Sequence, residues 1–78
     1  MQDLRLIDVL VDAGDTRLHR GTNNGEPVLA RRVRPGPGFR RGATAIRHDA
    51  ELLRLLGTQV ELIETDEGPV LILADAGL

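Results

Sequence analysis

The chain has no lysine, cysteine, tryptophan or tyrosine, and Phe39 is its only aromatic residue. Each absence excludes something. Without cysteine there is neither a disulfide nor a thiolate metal site to staple a small fold. Without further aromatics there is no stacking platform for single-stranded nucleic acid, and the core lacks the large area that Trp or Phe would add. Without lysine, all ten basic side chains are arginine. No apolar run approaches the roughly 18 residues that span a bilayer, and Met1-Gln2-Asp3 does not open a signal peptide. A cytoplasmic chain with no membrane partner is expected.

What is present is 78 residues, 41% of them apolar and nearly all branched aliphatics or alanine. That is one small domain, near the lower limit of what a hydrophobic core alone sustains. Marginal stability is expected. The net charge of −2 does not draw the whole molecule to nucleic acid. Six arginines nevertheless fall between Arg31 and Arg47, while the C-terminal third is mostly acidic. These arginines are expected to solubilise a loop and to pair with the acidic C-terminal strands. His19 and His48 stand alone, without the spacing of metal ligands, and surface or flank roles are expected for them.

Alternation over Leu4–Leu10 predicts a strand, and Asp12-Ala13-Gly14-Asp15 supplies a turn. Residues 16–21 return as a second strand. Thr22-Asn23-Asn24-Gly25 then signals a hairpin, since Asn and Gly tolerate positive φ. Pro27–Val33 completes a three-stranded meander over residues 4–33. Arg34-Pro35-Gly36-Pro37-Gly38 reads as a loop, extending over 34–42. Ile46, Ala50, Leu53 and Leu56 recur at helical spacing and predict a helix over 43–57, capped near Thr44 and stopped at Gly57. A hairpin over 59–74 and a short tail over 75–78 close the chain. The expected fold is α+β, a five-stranded antiparallel sheet with one packed helix in the order βββαββ. One helix cannot cover both faces of such a sheet. The doubly apolar run Val70-Leu71-Ile72-Leu73 therefore suggests a covering element outside the chain.

This order, with Val28-Leu29-Ala30-Arg31, Arg47-His48-Asp49-Ala50-Glu51-Leu52-Leu53 and Val70–Leu78 at successive places, resembles the small N-terminal lobe of protein kinases over nearly the entire chain. It is most similar to the kinase-like region that opens large bacterial sensor proteins, ahead of an ATPase-type module and a histidine kinase. Residues 75–78 then resemble the hinge of that lobe. The resemblance implies that Arg31 stands where kinases place the lysine of V-A-I-K, which meets the α/β-phosphates. Leu29 stands where a smaller alanine admits the adenine ring. Asp49 stands at the position of the helix glutamate, so that Arg31 and Asp49 would form an exchanged ion pair. The plainer reading of Asp49 is a flank residue partnered only by water or a nearby arginine. Gly14 is the one glycine in the stretch that corresponds to the phosphate-covering loop. The carboxylates Asp12 and Asp15 there would repel a triphosphate, and an ordinary hairpin turn is the preferred reading.

The catalytic aspartate and the metal-holding residues of that family belong to its second lobe. The chain alone is thus expected not to be an enzyme, to hold no metal and to carry no cofactor, with ATP and Mg²⁺ entering only in a full-length parent. The expected role is a regulatory or ATP-degenerate piece of a larger signalling protein, partnered by a C-terminal kinase lobe or other domains. The alternatives are a protein-interaction or dimerisation module using the uncovered sheet face, and the small lobe of an active Ser/Thr kinase.

Overall fold

The computed structural model describes residues 3–74. Strands β1 (Leu4–Ala13), β2 (Thr16–Asn23) and β3 (Glu26–Val33) precede helix α1 (Phe39–Leu55), followed by β4 (Val60–Thr65) and β5 (Gly68–Ala74). All five strands form one antiparallel sheet in the order β1-β2-β3-β5-β4. The expected α+β architecture is the observed one. The hinge-like tail placed at 75–78 lies outside the described residues. Among those residues, no helix is long and apolar enough to cross a membrane.

The β2–β3 hairpin turns on Asn24 and Gly25, at φ 54° and 85°. Two consecutive positive φ angles match the twist of the flanking strands, which is why Asn-Gly is favoured there. Pro69, which cannot donate to a ladder, sits near the start of β5, before the pairing with β3 begins at Val70. At the other end of the connection, α1 stops in a Schellman arrangement. The amide of Gly57 donates to Arg54 O at 3.0 Å and that of Thr58 to Leu53 O at 2.9 Å, with Gly57 at φ 81°.

The helix starts earlier than its pattern suggests. It opens at Phe39, inside the expected loop, and its N-cap is Gly38 and not Thr44, which lies within the helix. Gly42, a poor helix former, belongs to it because α1 lies so close to the sheet. A Cβ at Gly42 would come within 2.5 Å of Asp15 O and 2.9 Å of Val33 Cγ1. That close approach overrides intrinsic propensity.

Alternation along β3 and β5 sorts two cores. On the helix side, Val33, Leu71, Ala43, Ile46 and Ala50 form one cluster, supported by Leu53, Val60, Leu62 and Leu73. On the opposite side, Val28, Ala30, Val70 and Ile72 form another, and Leu4, Leu6 and Ile63 pack against it. This corrects the expectation of a covering element outside the chain for Val70 and Ile72. The sheet covers them with its own first strand. The register of β1 on β2 shifts between Leu6 and Asp8 and again between Val9 and Val11, as bulges do when a strand bends. Gly21 allows the approach, since a Cβ there would overlap the carbonyl of Arg5.

Candidate functional site

Arg31 lies midway along β3, between Leu18 of β2 and Leu71 of β5. Leu71 belongs to the helix-side core, so the same alternation turns Arg31 toward α1. Its Nη1 donates to Asp49 Oδ2 of the helix, and its Nε donates to Thr16 Oγ1 of β2 at 3.2 Å. One guanidinium thus links the helix, the central strand and the second strand. The two side chains of the ion pair are 33% and 35% exposed. A contact this open to water is worth roughly 1 kcal/mol at most; its use is positional.

Leu29, two residues before Arg31, shares its face and is half-buried, opposite the exposed Arg20. Helix α1 packs on β3, β5 and β4. Leu18, Leu29 and Arg31 therefore lie on the part of that face that runs from the helix toward β1. Of the sequence-derived candidates, the structure joins Arg31 to Asp49 and leaves Leu29 on the same sheet face two residues before Arg31. Gly14 does not join them. It sits at φ 63° in the β1–β2 turn, where it supplies a left-handed residue.

Thr16 was not anticipated as part of this arrangement. The available signal was its register: it precedes Leu18 by two on β2 and so points to the same face as Arg31. Also missed was where the turn carboxylates go. Asp12 Oδ1 lies 3.3 Å from Arg17 Nε and 3.7 Å from Arg34 Nε, and Asp15 Oδ2 lies 3.4 Å from Arg41 Nε. Positive charge that a phosphate would otherwise find there is already matched.

No family model, curated protein or solved structure matches the chain.

Five of the six arginines in the cluster each meet a different carboxylate. Arg47 makes a forked contact with Glu64, Nη2–Oε1 2.7 Å and Nε–Oε2 3.2 Å, and Arg32 contacts Glu67. That hydrogen bond and the charge beside it raise the Arg47 pKa and lower that of Glu64. The expected pairing with the acidic C-terminal hairpin holds for these two arginines, with Glu64 on β4 and Glu67 in the β4–β5 turn. Arg31, Arg34 and Arg41 instead turn to Asp49, Asp12 and Asp15. His19 also differs from expectation. It is 8% exposed, on the face opposite the helix, and its Nε2 has no hydrogen-bond partner. Burial, then the charges of Arg32 and Arg17, lower its pKa from 6.5, against a smaller opposing pull from Asp12. His48 is exposed on α1. Among the described residues, no group of three His, Cys, Asp or Glu could hold a metal ion.

Proposed function

We propose that this chain is a protein kinase-like small lobe, a regulatory or ATP-degenerate module of a larger signalling protein with no catalysis of its own. The observation that supports it is the Arg31–Asp49 pair, which joins the third strand to the helix within a βββαββ sheet. In a kinase, the equivalent link sets the helix and presents a cation to the α/β-phosphates. Here Asp49 and Thr16 hold the cation, and Leu29 takes the place of a smaller residue beneath the base. Both features weaken nucleotide binding relative to a lysine-alanine arrangement. The module's partner in this reading is a second lobe that would close on the face of Arg31.

The test is thermal denaturation with and without ATP–Mg²⁺, for this chain and for a longer protein that contains it followed by a second lobe. A rise in melting temperature is expected for the longer protein and is abolished by Arg31→Ala. The same longer protein showing no rise would remove nucleotide binding from the reading.

One observation favours a second reading, a protein-interaction or dimerisation module. Ile7, Val9, Leu10 and Val11 are 65%, 52%, 42% and 51% exposed on the edge strand β1. Exposed aliphatics on an edge strand are a common contact surface. Light scattering over a concentration series tests it: a monomer throughout speaks against it.

A further inference from the structure

His19 is the one buried polar side chain among the described residues, and its Nε2 has no hydrogen-bond partner. It also faces the weakest stretch of the sheet. β1 is an edge strand, paired in the sheet with β2 alone. Its register shifts between Leu6 and Asp8 and again between Val9 and Val11, so Val9, opposite His19, lies between two irregularities. Ladder hydrogen bonds are disrupted at such points. The pairing of β2 with β3, in contrast, runs from Thr16 to Asn23 without a shift. Two residues beyond His19, and on its face of β2, the Arg5 carbonyl occupies the place where a Cβ on Gly21 would go. The β1 backbone therefore closes over the side on which the imidazole is shut in.

The surroundings leave little room for a charge on that ring. Arg17 on β2 and Arg32 on β3 face the same way. The carboxylates beside them are engaged, Asp12 of β1 at 3.3 Å from Arg17 and Glu67 of the β4–β5 turn with Arg32. Asp8 of β1 pairs in register with Arg20, on the helix-side face. β5 contributes the apolar Val70 and Ile72. Burial first, then Arg32 and Arg17, hold the His19 pKa below 6.5, and Asp12 only partly offsets them. Lifting β1 admits water and restores the ring's ordinary affinity for a proton, so opening is favoured as the pH falls below 6.5.

We infer that His19 latches the bulged middle of β1: neutral, it lets residues 7–10 close on β2, and protonated, it opens them while the other four strands stay paired. The two ends of β1 remain tied. Asp12 holds Arg17 and Arg34 at one end. At the other, the Asp3 amide donates to Asn24 Oδ1 at 2.8 Å and the Asn24 amide to Asp3 O at 2.9 Å. Ile7, Val9 and Leu10 lie in the stretch that opens, so the acid form presents a different edge to a partner. The inference goes beyond the two readings above and depends on neither.

The experiment follows amide exchange by NMR between pH 7.5 and pH 5 in wild type and His19→Leu, each rate divided by that of an unstructured chain at the same pH. In the wild type, protection of β1 and of the β2 amides facing it is expected to fall severalfold. That fall should follow the imidazole protons of His19 and not those of His48. Amides that join β3 to β5 should lose far less protection. In His19→Leu the loss in β1 should disappear. Equal loss in every strand, no loss, or a loss that persists in His19→Leu overturns the proposal. If His19→Leu does not fold, His19→Gln takes its place. If neither folds, the wild type decides: a β1 loss that tracks His19 supports the latch, and one that tracks another group overturns it.

Discussion

Arg31 and Asp49 stand 18 residues apart in sequence and meet across the helix–sheet interface, with Thr16 on the other flank of the guanidinium. Among the described residues, no other ion pair joins α1 to the central strand β3. It is half in water, and that decides how much each partner matters.

Removing either partner should be mild. Arg31→Ala and Asp49→Ala are each expected to cost about 1 kcal/mol, with a coupling of roughly 0.5 kcal/mol in a double-mutant cycle. Chemical denaturation of the four chains measures it. A coupling of zero would mean that water screens the pair completely.

His19 should make the fold acid-sensitive. Its folded pKa lies below the unfolded value of 6.5, so the unfolded chain binds the proton more readily. Stability is therefore full above pH 6.5 and falls as the pH drops from there through the lowered folded value. Denaturation midpoints at pH 7.5 and pH 5 should differ for the wild type by more than for His19→Leu. Equal pH dependence in the two chains would show that His19 is not the group responsible.

Ile46 is fully buried between α1 and the sheet, beside Val33 and Leu71. Ile46→Ala should cost about 2–5 kcal/mol. A domain this size has little to spare, so loss of cooperative thermal unfolding is expected by circular dichroism. Leu55→Ala, at a 78% exposed position on the same helix, is the control and should be nearly silent.

Gly21→Ala tests the curling of β1. The added methyl meets the backbone of Arg5, which cannot rotate away as a side chain can. Leu4 and Leu6 should lift from Val28 and Ile72, read as faster amide exchange in the first strand. Unchanged exchange there would show that the strand can shift without losing its packing.

Much of the architecture was legible because it is written in short-range pattern. The Asn24-Gly25 hairpin, the stop at Gly57 and the inward stripe of Ile46, Ala50 and Leu53 each follow from a few neighbouring residues, although Leu56, expected in the same stripe, is the exposed C-cap. The pairing of Arg31 with Asp49 was expected from the kinase resemblance; periodicity allowed Asp49 to face the sheet but left open which of Arg31 and Arg32 turns toward the helix. The helix start was not legible, because Gly42 enters α1 through its contact with Val33 and Asp15. Nor was the burial of His19, nor that β1 would be what covers Val70, since both depend on how far β1 bends.

Local alternation and turn chemistry were enough to establish five strands, one helix and their order, because those are choices made within a few residues. Where β1 folds over, which arginine each turn carboxylate meets and which histidine is shut away from water were settled by long-range closure. Those outcomes depend on distances between segments far apart in the chain, and side-chain periodicity carries no information about such distances.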